Sequence, residues 1–288
     1  MTTGADLENG VVFVNRLDAF RHFAEFSGPT QSQLHIRPLH EYVTSRLVLE
    51  GGFRPSELSP RPPLRTEKTG NLRRVIFAPQ ERTRTEATIL GGLKTKKVDI
   101  VVSKDGIGPV LAISCKGMTG AVRNLTNRLE ETIGECTNVH LSYPTLVFGY
   151  LFLMRANREG EDTLLTDAVL DSQGRPLEGI VRFHQALSCM TGRLSARNDA
   201  SRYEAIAMTL VEVSPARAGE INEDYPPRGS AIHFDQFVDT IYRRYDERYV
   251  VSAPLLARRT RRLEWSGDSP AFDAEPLQRL DYRPRVAA

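Results

Sequence analysis

The feature that most constrains this chain is a change of hydrophobic period between residues 98 and 154. Residues 98–103 and 110–116 are short runs rich in Val and Ile, joined through the turn pair Asp105-Gly106. That pattern predicts two hairpin-related strands. Leu125, Leu129, Ile133 and Cys136 then recur at helical spacing, which predicts one helix over 121–141, ended by Pro144. Residues 145–154, TLVFGYLFLM, follow as a run of strand length with the continuous apolarity of a strand buried on both faces.

The flanks extend this frame. Residues 11–27 read as a helix with Phe13, Leu17, Phe20, Phe23 and Ala24 on one face and Gly28-Pro29 as its stop. Residues 38–50 read as a second, opened by Pro38, striped by Leu39, Val43 and Leu47, and closed by Gly51-Gly52. A loop rich in Pro and Arg leads to strand-like stretches at 74–78 and 85–90. Beyond 154, residues 178–191 and 233–248 have helical character and 204–213 that of a strand, while 155–177 reads as an insertion or long loop. The order implies one α/β domain, with a mixed sheet of roughly five strands flanked by helices. From Trp265 onward periodicity is lost, so the expectation is a domain over 1–264 and a loosely ordered tail over 265–288.

Three widely spaced cysteines argue against a disulfide framework and against Cys-rich zinc sites, and the six histidines form no i, i+4 ligand pair. The N-terminus lacks the basic and apolar regions of a signal peptide, and the longest apolar run is too short for a bilayer. These features predict a cytoplasmic protein with no membrane partner. Net charge is only +2, but it is unevenly placed. Residues 54–97 hold eleven Lys/Arg against four Asp/Glu, and residues 243–262 hold seven against two, ending in Arg258, Arg259, Arg261 and Arg262. Local basic blocks on a near-neutral chain suit a site-bound polyanion.

The window with chemical content is KKVDIVVSKDGIGPVLAISCKGMTGAVRNLTNRLEE, residues 96–131. Alternation puts Ala112, Ser114 and Lys116 on one face of their strand and Leu111, Ile113 and Cys115 on the other. Asp99 and Lys116 thus come to adjacent strands at the rim of an apolar sheet. A carboxylate that holds a divalent metal beside an ammonium suits phosphodiester hydrolysis. One carboxylate is a poor magnesium site, and two residues before the lysine stands Ser114 where a second acid is expected. Gly106-Ile107-Gly108 is a hairpin turn and not a phosphate loop, and neither a nucleophile elbow nor a zinc-protease motif is present.

Asp99, fourteen intervening residues, then Ser114-Cys115-Lys116 resembles the PD-(D/E)xK motif of restriction-type nucleases in the variant with Ser for the middle acid. Val98 replaces the motif's proline. In type II restriction endonucleases with this variant a glutamate on the following helix, fourteen residues after the lysine, supplies the missing acid. That offset falls on Glu130, with Glu131 beside it as competitor. The resemblance further implies a restriction-endonuclease-like domain with its catalytic core over 38–155. It implies Mg2+ held by Asp99, Glu130 and the Cys115 backbone carbonyl, and a glutamate on the first helix, Glu41 in LHEYVTSRLVLEGGF, facing the metal. Ser114 keeps a local hydrogen-bonding role. Double-stranded DNA is then the substrate, a homodimer or higher homo-oligomer the expected assembly, and a DNA methyltransferase the companion of the restriction system; the alternatives are a repair or phage-defence nuclease of the same fold and a catalytically silent DNA-binding protein. Arg123, Asn124, Asn127 and Arg128, ahead of Glu130, are residue types that grip phosphates or read base edges. His140, at the end of the same helix, reads as a structural histidine.

Overall fold

The computed structural model describes residues 14–29, 33–120, 122–160, 164–273 and 282–287. Its centre is a five-stranded mixed sheet of order β1-β6-β7-β8-β9. The strands are β1 (Leu58–Ser59), β6 (Ile100–Lys104), β7 (Gly108–Met118), β8 (Val147–Arg155) and β9 (Ala205–Val211). β1, β6 and β7 run antiparallel, while β8 and β9 continue parallel to β7. Two antiparallel ribbons lie outside this sheet: β2 (Leu64–Thr69) with β3 (Leu72–Phe77), and β4 (Ala87–Ile89) with β5 (Lys96–Val98).

Helices cover both faces. Helix α1 (Arg16–Glu25), α2 (Arg37–Leu49) and α5 (Phe237–Asp246) pack with Leu111, Ile113, Cys115, Leu151 and Leu153 in one core. Helix α3 (Leu125–Ser142), which joins β7 to β8, and α4 (Glu178–Cys189), between β8 and β9, enclose the other. There Ala112, Phe148, Tyr150, Phe152 and Met208 are buried. All but the last residue of β8 are buried, as its uninterrupted apolar run predicts. Helix α5 crosses β8 closely enough that a Cβ on Gly149 would stand 2.8 Å from Ile241 Cδ1, so a larger residue there would have to displace that side chain. No helix among the described residues is long and apolar enough to cross a membrane.

Three sequence expectations change. The stretch 98–103 is not one strand: β5 ends at Val98, the chain bends at Asp99, and β6 begins at Ile100 in a different sheet. Helix α3 presents a different stripe. Ile133 is 43% exposed, whereas Thr132, Glu135, Cys136 and Val139 are buried, so two polar residues occupy positions that hydrophobic periodicity alone does not assign to the core. The segment after 264 is not a loose tail where it is described. Trp265 is fully buried, its indole N–H donates to the Val48 carbonyl at 2.8 Å, and Tyr282 joins the same core. Aromatic bulk with a satisfied donor outweighs the absence of periodicity. The first part of the helix over 11–27 and the tail residues 274–281 lie outside the described residues.

Trp265→Ala should lower unfolding free energy by about 3–5 kcal/mol, the usual cost of emptying a large aromatic site. A urea titration showing a lower midpoint at unchanged slope checks this. A shift below about 0.5 kcal/mol is what a loose tail would give.

Candidate active site

The bend between β5 and β6 turns the Asp99 side chain onto β7. Pairing of β6 with β7 ends at Ile100 opposite Ile113, so the Cys115 N–H has no partner on β6. The Asp99 carboxylate takes its place. Asp99 Oδ2 accepts from Cys115 N at 2.8 Å and Lys116 Nζ at 2.9 Å, and lies 3.3 Å from Ser114 Oγ. Asp99 is only 3% exposed. Burial opposes its ionisation, but the Lys116 charge, the His40 side chain and the bonds from Lys116 and Cys115 outweigh burial and hold the carboxyl below its ordinary pKa. Burial likewise works against the Lys116 ammonium, and Asp99 with Glu135 more than offsets it, so the lysine stays protonated well past the ordinary range.

The second carboxylate is Glu135. Its Oε2 lies 3.2 Å from Ser114 Oγ, and its Oε1 stands 3.4 Å from Lys96 Nζ. Glu130, the residue that the resemblance selects, is exposed on α3, and Glu131 is exposed and paired to Arg128 at 2.7 Å. The reason is the rotated stripe of α3. The Thr132 hydroxyl lies 3.1 Å from the Tyr150 hydroxyl, and Tyr203 Oη donates to the Thr132 carbonyl at 3.0 Å. With Thr132 turned toward the sheet, Glu135, one turn on, faces β7 and Glu130 faces away. Polar contacts between helix and sheet set this rotation, and only the identity of Thr132 and Glu135 in TIGEC hints at it.

Glu41 does not join Asp99. It pairs with Arg82 at 3.0 Å, and burial raises its pKa against the pull of that arginine. The α2 residue coupled to Asp99 is its neighbour His40, which is 5% exposed with Nε2 buried and without a hydrogen-bond partner. Burial lowers its pKa more than Asp99 and Glu86 raise it. His140 is a structural histidine: its Nε2 lies 3.4 Å from the fully buried Glu204, which also binds Arg193 and Arg248. Arg123, Asn124 and Asn127 are exposed at the start of α3.

Two clefts flank the carboxylates. One of about 340 Å³ is lined by Lys94, Lys96, Lys116, Arg128 and Glu135, and another of about 160 Å³ by Arg37, Arg61, Arg84, Lys97 and His40. Strand alternation in β5 sends Lys96 to the first and Lys97, paired with Glu86 at 2.9 Å, to the second. Basic side chains outnumber acidic ones in both clefts, which also carry Glu131 and Glu135 in the first and Glu41 and Glu86 in the second.

The donor set suits a hard divalent cation. Ser114 has one hydroxyl hydrogen and faces two carboxylates, so it satisfies only one of them at a time. Glu135 Oε1 is buried without a hydrogen bond. Among the described residues no three His, Cys, Asp or Glu side chains gather as a metal cage. Magnesium does not need one, since it binds through one or two carboxylates and completes its shell with water and substrate phosphate. Asp99, Glu135 and the Cys115 carbonyl are the groups that would hold it.

Comparison with protein-family models, with curated proteins and with solved structures finds no match to this chain.

Because the Asp99 carboxyl is held below its ordinary value of 3.8, its contribution to stability is complete above that value and is lost as pH falls through the lower native value. Asp99→Asn should therefore be less stable than the parent chain at neutral pH and should show a flatter loss of stability below pH 4. Urea midpoints measured from pH 7 to pH 2.5 test this, and parallel curves for the two proteins would contradict it.

Proposed function

We propose that this chain is a magnesium-dependent endonuclease that hydrolyses phosphodiester bonds of double-stranded DNA, with Asp99, Glu135 and Lys116 at its centre. The observation that carries the proposal is the pair of carboxylates, Asp99 and Glu135, bracketing one hydroxyl beside the half-buried Lys116 ammonium, which lines a cationic cleft. The succession α2, β1, β6, β7, α3, β8 supports it, being the element order that goes with the Asp…Ser-x-Lys resemblance.

The side chains divide the work. Asp99 and Glu135 are the acids, and magnesium bound there would polarise the phosphoryl group and lower the pKa of a water ligand. Asp99 and Glu135 hold Lys116 as an ammonium. It serves as a fixed positive charge for the negative charge that develops on phosphorus. Ser114 holds the two carboxylates a single hydroxyl apart. Lys94, Lys96 and Arg128 on one side, and Arg37, Arg61 and Arg84 on the other, supply cations where the strand's phosphates would lie. Cutting at one short palindromic site by a two-fold dimer, as one half of a restriction system with a methyltransferase, is the extension that the resemblance adds.

Glu135→Gln keeps shape and removes charge, so it should lower magnesium-supported plasmid cleavage at least about a hundredfold, the scale for loss of one group that stabilises the transition state. Glu130→Gln should cut within about twofold of the parent chain. The reverse ranking would return the site to Glu130, and two variants as active as the parent would remove the acid pair from the chemistry.

A further inference from the structure

A third cationic cleft lies at the opposite end of the sheet. It measures about 810 Å³ and opens beside the β6–β7 hairpin, where Arg259 Nη1 stands 3.3 Å from the position of a Cβ on Gly106. β6 runs from the Asp99 bend to Lys104 on the floor of this cleft, roughly 16 Å at the ordinary rise of a strand. The two sites are therefore distinct.

Ion pairing decides what the cleft is for. On its floor Lys104 is neutralised by Glu57 at 2.7 Å, and Arg262 is held by Asp246 at 2.7 Å. Arg73, Arg258, Arg259 and Arg261 line the same cleft and form no ion pair with any described residue. The neighbouring cleft of about 780 Å³, by contrast, mixes arginines with Glu50, Asp235, Asp239, Asp246 and Glu247 and carries little excess charge. Four guanidinium groups without a carboxylate partner give this concavity an excess of positive charge, which favours an anion there. Guanidinium forks match phosphate oxygens bidentately, and the cleft has no aromatic lining on which a base would stack.

We infer that this cleft binds the phosphate backbone of a nucleic acid, without reading its sequence, at a site separate from the Asp99 centre. A rod-like backbone fits a concave groove lined by arginines, whereas a flat bilayer does not. Val251, Leu255 and Leu256, exposed in the segment before Arg258, are what a lipid surface would use, and the test includes that outcome. The inference extends the DNA part of the proposed function and is independent of the chemistry at Asp99.

The test is binding of a fluorescent duplex of about 20 base pairs to the full chain, in chelator so that no cutting occurs, over a series of salt concentrations. The quadruple variant Arg73→Gln, Arg258→Gln, Arg259→Gln, Arg261→Gln should bind at least about tenfold more weakly at low salt. Its slope of log affinity on log salt should be shallower by about 3 to 4, near 0.9 for each phosphate that the variant no longer neutralises. An unchanged thermal midpoint certifies its fold, and the pair Arg259→Gln, Arg261→Gln, expected to make the slope shallower by about 1.8, serves if the quadruple variant is unstable. Affinity and slope equal to those of the parent chain would overturn the inference, as would a parent chain that sediments with phosphatidylserine vesicles and ignores the duplex. A chain that loses binding in this variant but never cuts keeps the inference and removes the nuclease reading. A chain that cuts while its salt slope is unmoved does the opposite.

Discussion

The structure turns on one buried carboxylate. An ionised Asp99 taken out of water costs several kcal/mol unless it is fully partnered, and a partner removed from such a group leaves an uncompensated charge. The chain meets this requirement by bending between β5 and β6 at Asp99 and by ending β6–β7 pairing at Ile113. That frees the Cys115 N–H and brings Ser114 and Lys116 to the same oxygen. Strand register, bend and site are one constraint, because a slip of one residue in β7 would send Ser114 and Lys116 into the opposite core.

The same constraint orders the surroundings. Once Ser114 is fixed beside Asp99, its hydroxyl meets the second carboxylate from α3, and Thr132 with Tyr150 and Tyr203 sets the helix rotation that brings Glu135 there. β5, continuing from the bend, divides its lysines between the two flanking clefts. Asp99 is paired with Lys116 and Glu135 with Lys96, while Glu135 Oε1 accepts no hydrogen bond, so the acid pair sits among cations with one carboxylate oxygen still open.

Much of this was legible in the residues. The alternation of 110–116, the buried run 145–154 and the helix after Lys116 gave the sheet and its crossover, because each is a matter of period and burial. Asp99 and Lys116 were legible because only a strand end places those charges on an apolar sheet. Glu135 was not, since Leu129 and Ile133 suggest a stripe that tertiary polar contacts override, and the family offset pointed to Glu130 instead. Trp265 was missed because a single anchoring aromatic has no period, and its partner, the Val48 carbonyl, lies far away in sequence. The unpaired state of Arg73, Arg258, Arg259 and Arg261 depends on which carboxylates the fold brings near, which no run of charges reveals.

In the proposed centre Asp99, Glu135 and the Cys115 carbonyl share one divalent cation. Crystals soaked in manganese and measured at its absorption edge test it directly. The account predicts a single strong anomalous peak at roughly 2.1–2.3 Å from a carboxylate oxygen of each acid, absent from Glu135→Gln crystals. An anomalous map with no peak between these carboxylates, or with its peak beside Glu130 or Glu41, would contradict it.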